Sequence, residues 1–286
     1  MTEKFTGKQL TGKGVGVAVL DTGIFPHMDF EGRITAFHDV VNEQAKLYDD
    51  NSHGSHVAGI IGGNGRASKG RYVGVAPEVS LIGVKILDHS GKGKTENALE
   101  GIRWVLNNKD RYNIRVVNIS FASGKKEENE ENNPLIRAVE GLWMAGIVVV
   151  TAAGNNGPGE CSIGVPGISR KIITVGAYDN LYGRDENGNV KQFYSGRGCD
   201  SMPFIKPEIV AKGSMITSCN NTRIGYVTKS GSSMAAPFVT GMVARLLEKY
   251  PDMEPVDVKL RLHDRAVDLS LPQSVQGWGT IDETLF

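Results

Sequence analysis

The 286-residue chain is poor in cysteine and has no excess of either charge. Its three cysteines, Cys161, Cys199 and Cys219, cannot all pair, and no C-x-x-C spacing occurs. A disulfide scaffold and a cysteine-based metal site are therefore not expected, and a reducing compartment is favoured. Thirty-two basic residues balance 32 acidic ones, which argues against nucleic acid or a membrane surface as partner. No apolar run reaches the length that crosses a bilayer. Residues 1–11 lack the basic and apolar regions of a secretory signal. Together these absences predict a cytoplasmic chain. There is no internal repeat and no linker long enough to divide residues 1–286, so one large domain is expected.

What the chain does contain is an alternation. Apolar runs at 15–20, 81–87, 115–121, 147–152 and 172–177 read as buried strands. Helical spacing marks 97–107, 134–145, 233–249 and 255–265. Such alternation predicts an α/β fold, a parallel sheet covered by helices on both faces in three layers. The charged run 125–133 reads as a solvated loop.

Three short stretches carry chemistry. Asp21 ends the first apolar run, and the carboxyl end of a parallel strand is where sites of open α/β sheets lie. His53 precedes a run of small residues, 54–63, suited to a closely packed helix. Ser233 opens a segment in which Val239, Met242, Val243, Leu246 and Leu247 recur at helical spacing. Pro237 is tolerable there in the first turn. A serine at a helix N-terminus sits beside backbone N–H groups and a positive dipole end. Alone, each residue has a plain reading as a turn, cap or structural residue. Jointly they supply carboxylate, imidazole and hydroxyl, the inventory of an activated serine nucleophile. Asn155 follows another apolar strand, and its amide can be aimed at an oxyanion.

In these stretches, in the order Asp–His–Ser, the chain resembles the subtilases, the subtilisin family of serine proteases. The likeness runs over about residues 14–279 and is strongest to the intracellular, AprX-like branch. It implies a serine endopeptidase acting through an acyl-enzyme on peptides or proteins, without a cofactor. By the same resemblance Asp21, His53 and Ser233 form the triad and Asn155 is the oxyanion donor. Ser120, Phe121 and Ala122, then Ala152, Ala153 and Gly154, then Gly164, wall the primary specificity pocket. Gly91, Lys92 and Gly93 form the opposite substrate-pairing edge. His56 is structural. Ala122 and Ser123 replace two family glycines and narrow the pocket mouth. An apolar side chain before the scissile bond (P1) and broad tolerance elsewhere are expected. Secreted relatives carry a calcium loop where this chain has Arg66, Lys69 and Arg71, which would repel the ion. Asp21 also lies too close to Met1 for an inhibitory pro-domain of ordinary family length.

Three other readings compete. Residues 88–95 stand where a phosphate-binding loop would, but Asp88 takes the first glycine position. His53 and His56 are three apart, without the glutamate of a zinc hydrolase. Finally, a catalytically impaired subtilase could act as a protein-binding or regulatory module, against which all four chemical residues are present.

Overall fold

The computed structural model describes residues 10–122, 133–179, 183–184, 190–191, 194–199 and 203–286. Ser123 and most of the charged run, 124–132, lie outside them. Among the described residues the core is a seven-stranded sheet in the order β2-β3-β1-β4-β5-β6-β9, every neighbouring pair parallel. Its strands are β1 (Gly16–Asp21), β2 (Ile34–Asp39), β3 (Ser80–Lys85), β4 (Ile114–Ile119), β5 (Val148–Ala152), β6 (Ile173–Ala177) and β9 (Ile209–Ala211). Two small antiparallel pairs stand apart, β7 (Gly183–Arg184) with β8 (Val190–Lys191) and β10 (Ile216–Cys219) with β11 (Tyr226–Lys229). All six residues of β1 are buried. The strand shows no polar alternation because helices cover both sheet faces.

The helices are α1 (His53–Gly62), α2 (Thr95–Asn108), α3 (Pro134–Met144), α4 (Ser232–Lys249), α5 (Pro255–Asp264) and the short α6 (Gln273–Gln276). α1 packs on α4, and α2 on α3, so that the two pairs sandwich the sheet. Each strand and helix expected from periodicity is present. The expectation missed β2, whose ITAFHD sequence is mixed and half-buried at the sheet edge, the three-residue β9, and the short pairs β7–β8 and β10–β11.

Two expectations are corrected. Pro237 is the sixth residue of α4, inside the helix rather than in its first turn. Proline has no N–H for the carbonyl four residues back. That carbonyl is Ser233's, and Ser120 Oγ donates to it at 3.2 Å instead. The second correction concerns sulfur. Cys161 and Cys199 are joined as a disulfide with Cα atoms 4.6 Å apart, and Cys219 is a buried free thiol. That three cysteines cannot all pair did not prevent two from doing so, because the fold brings together positions 38 apart in sequence. Among the described residues no helix is long and apolar enough to cross a membrane.

Candidate active site

The carboxyl edge of the sheet gathers the site. Asp21 is the last residue of β1, and the parallel register pairs Leu20 with Ile119 of β4. Asp21 is therefore level with Ser120, the residue after β4. His53 is the first residue of α1. Its Nδ1 lies 2.8 and 2.9 Å from the two Asp21 oxygens. Asp21 is fully buried, while the His53 side chain is 24% exposed. With Nδ1 donating to the carboxylate, the Nε2 lone pair is left on the open side. Burial pushes the His53 imidazole down, but the charge and hydrogen bond of Asp21 outweigh it, so its pKa stands above the ordinary value.

The start of α1 is pinned to the end of β1 by residues that motif reading passed over. Asp49, buried, accepts from Thr22 Oγ1, from the N–H groups of Asn51, Ser52 and Ser55, and from Ser55 Oγ. Thr22 Oγ1 in turn accepts from Gly54 N at 2.9 Å. A Cβ on Gly54 would run into the Gly23 carbonyl oxygen, so only glycine allows this approach. Beneath them, buried Lys85 donates to Thr22 O, Leu87 O and Asp50 Oδ1 at 2.7–2.8 Å.

Ser233 is the second residue of α4 and half-buried. Thr240 Oγ1 donates to Asn118 Oδ1, Asn118 Nδ2 to Ser120 Oγ, and Ser120 Oγ to the Ser233 carbonyl. This chain of bonds holds α4 against the end of β4. Gly241, eight residues beyond Ser233, packs on the carbonyl of Ile61, eight beyond His53. The two helices thus start side by side at the site. Among the described residues no bond yet joins Ser233 Oγ to His53, and such contacts commonly tighten only when substrate binds.

Asn155 is oriented by Ser232, a residue the motif reading above does not single out. Its Oδ1 accepts from Ser232 N and Ser232 Oγ, both at 3.0 Å, and Ser232 Oγ accepts from Gly154 N at 3.1 Å. Fixing Oδ1 turns Nδ2 the other way. A Cβ placed on Gly231 would stand 3.3 Å from Asn155 Nδ2 and 3.6 Å from Ser233 N. Asn155 Oδ1 stands 3.8 Å from the same point, and the two N–H groups lie together beside Gly231, next to Ser233.

The residues expected to wall the specificity pocket divide into facing and buried sets. A Cβ on Gly154 would lie 3.1 Å from Ala122 Cβ and 3.7 Å from Gly164 N, so these three segments face one another. Ala152 and Ala153 are buried behind them, Ala153 bonding Val175 O and Gly164 N. Ser120 is buried and committed to Ser233, and Phe121 is half-buried. Gly91, Lys92 and Gly93 are exposed at the opposite edge, tied to the His53 loop by Asn51 Nδ2 on His89 O at 2.9 Å.

The competing readings lose their geometry. Asp88 Oδ1 accepts from Ser90 N, Ser90 Oγ and Lys92 N, which uses the backbone donors a phosphate would need. His56 donates Nε2 to Ile216 O and Val227 O, and burial pushes its pKa down to about 4. It is a neutral structural imidazole and no co-ligand of His53. At the basic loop 65–72, Asp29 Oδ1 accepts from Ala67 N and Oδ2 from Tyr226 OH. Among the described residues His27, Asp29 and Cys219 are the one group of three ligand types within 4.8 Å. They suit a metal poorly. His27 Nδ1 accepts from Asp29 N, and burial raises the Cys219 thiol far out of the thiolate range. Excess EDTA is therefore expected to leave Tm within about 2 °C, since losing a bound ion removes its mass-action stabilisation. A fall of many degrees in differential scanning calorimetry would reveal a site elsewhere.

A seven-stranded parallel sheet of this order, with these residues at its carboxyl edge, defines a class. The Subtilase family model matches residues 12–279, and the chain belongs to the subtilase family. It is 43% identical over 270 residues to Serine protease AprX of Bacillus subtilis (strain 168), a match taking in 88% of this chain and 61% of AprX. The chain thus spans less than two thirds of the length of that relative. Subtilisin DY of Bacillus licheniformis is 32% identical over 272 residues, covering 93% of this chain and 89% of its own length. The solved structure of Sphericase superposes with a TM-score of 0.82 at 28% identity, covering 98% of this chain and 94% of that one.

Proposed function

We propose that the chain is a serine endopeptidase in which Ser233, His53 and Asp21 form the catalytic triad. The observation that carries this is the His53–Asp21 pair, set at the start of α1 beside the start of α4. Ser233 Oγ attacks the scissile carbonyl carbon while its proton passes to His53 Nε2. The oxyanion receives hydrogen bonds from Asn155 Nδ2 and Ser233 N. The tetrahedral species collapses, the C–N bond breaks, and His53 gives the proton to the departing amine. Water, deprotonated by the same Nε2, then releases the acyl group. Asp21 keeps the imidazole in one tautomer and stabilises its cation. Relatives named as proteases support the reading. A fluorophosphonate probe decides it: one label per chain, mapped to Ser233, is expected. Failure to label folded protein would favour the impaired, protein-binding alternative.

Asn155→Ala should lower kcat with KM little changed, because its bond strengthens as the oxyanion forms. The loss expected is that known for one such donor in subtilisin, about 10²–10³. A change confined to KM would assign Asn155 to ground-state binding.

The substrates are peptides or proteins with an apolar P1 residue, since Ala122, Gly154 and Gly164 offer small uncharged walls. Ala122→Gly removes one methyl from the mouth. At about 0.8 kcal/mol per buried CH₂, it should raise the kcat/KM ratio of Phe over Leu at P1 by about threefold to fivefold. An unchanged ratio in a tetrapeptide series would place the specificity pocket elsewhere. Cytoplasmic residence rests on the sparse cysteine together with the lack of a secretory-signal pattern at 1–11, and the Cys161–Cys199 bond counts against it. The thiol state of protein quenched directly from cells separates the two.

A further inference from the structure

We infer that Lys229 determines specificity on the leaving-group side, forming a cationic subsite for an acidic side chain or free carboxylate within two residues after the scissile bond. The inference rests on the endopeptidase reading above and deepens it.

The hairpin β10–β11 lies along α1, and its contacts can be followed turn by turn. Gly59 of α1 closes on Ser218 and Cys219. One turn nearer the helix start, His56 Nε2 donates to Ile216 O at 3.0 Å and Val227 O at 3.1 Å. Ser218 Oγ donates to His56 O at 2.9 Å. Toward the start of α1, contact thus moves from Cys219 to Ile216, and the ladder partner of Ile216 is Lys229. The next turn of α1 is His53. Residues directly opposite, or two apart on one strand, share a sheet face. Ser218 faces α1, so Ile216, Val227 and Lys229 face it too. Lys229 is brought to the His53 end of the helix, four residues before Ser233.

Which half of a substrate would meet it follows from the chemistry. The acyl half occupies the walls at the carboxyl ends of β4 and β5, formed by Ala122, Gly154 and Asn155. His53 must hand its proton to the amine, so the amine half passes along α1 and the hairpin. An extended chain advances about 3.3–3.6 Å per residue, which brings its first two residues past Lys229. The side chain is half-buried, and among the described residues no carboxylate pairs with it. Its charge already reaches the site. Burial and Asp21 dominate His53, and Lys229 acts to lower that imidazole, while Asp49 acts to raise it. Lys229 also adds to the lowering of His56 that burial begins.

The test is a set of matched peptides with Glu, Gln or Lys at the first or second position after the scissile bond. At low salt the protein should cleave the Glu peptide about threefold to fivefold better in kcat/KM than the Gln peptide, the size of a partly exposed ion pair. The Lys peptide should be worse than both, and added salt should compress the series. Lys229→Met should make the three peptides nearly equal. Lys229→Glu should reverse their order and move the acid limb of kcat/KM upward in pH. Indifference of the unmodified protein to Glu against Gln, or an order unchanged in Lys229→Glu, overturns the subsite. Ser233→Ala separates the two claims. If that variant is silent on every peptide while the unmodified protein ignores charge, only the subsite falls. If it still cleaves, the endopeptidase reading itself fails.

Discussion

Ser233→Ala is expected to abolish peptide hydrolysis at ordinary assay sensitivity while leaving the fold intact. The hydroxyl makes no hydrogen bond among the described residues, so its removal strands no buried partner, and the Ser233 carbonyl keeps its bond from Ser120. Unfolding should change by no more than about 0.5 kcal/mol, the usual range for substitutions away from packed or paired groups. Catalysis is another matter. Without Oγ no acyl-enzyme forms, and His53 has no nucleophile to activate. In subtilisin, loss of the serine costs about 2 × 10⁶ in kcat, and a loss of that order is expected here. What survives comes from the oxyanion donors and substrate binding alone. Activity within tenfold of the parent, measured on a variant with the parent's Tm, would remove Ser233 from the mechanism.

Asp21→Asn should be nearly as damaging and is more informative. The unmodified protein holds His53 above the ordinary imidazole pKa of about 6.5, with Asp21 as the raising group. Its kcat/KM should therefore fall on acidification with a midpoint above that value and stay high in alkaline solution. Asparagine removes the charge and no longer enforces one tautomer. A kcat lower by about 10⁴ is expected, the scale known for the same change in a serine protease triad. The residual activity should titrate at lower pH. Stability should follow the proton. A raised folded-state pKa stabilises most below the unfolded value and fades as pH rises through the folded one. The variant should accordingly lose more stability at about pH 5 than at about pH 9. Equal losses at both, by denaturant melts, would contradict the charge pairing of His53 with Asp21.

The layered α/β fold was legible because its signals are local. Buried parallel strands such as Val148–Ala152 are runs of apolar residues, and helices such as α4 carry their own period. The edge strand β2 was not, because most of its residues are only half-buried and its mixed composition has no clear period. The same division runs through the site. Asp21, His53, Asn155 and Ser233 announce themselves because each is a chemically marked residue among small neighbours at an element boundary.

Their supports are ordinary residues whose meaning lies far away in the chain. Ser232 is an unremarked neighbour of Ser233 until its hydroxyl is found on Asn155, 77 positions earlier. Lys85 looks like a charge misplaced in an apolar strand until Thr22 O and Asp50 surround its ammonium. Lys229 is one cation among 32 basic residues until the hairpin register carries it to the start of α1. Cysteine count misled for the same reason, since Cys161 and Cys199 meet only when the sheet is complete. By itself the sequence determined the layered fold and the family and singled out Asp21, His53, Asn155 and Ser233 as candidates, because periodicity and side-chain chemistry are properties of short segments. Only the tertiary structure decided which groups surround them, such as Asp49 at the start of α1 and Ser232 on Asn155, because those depend on distances between segments that sequence order does not contain.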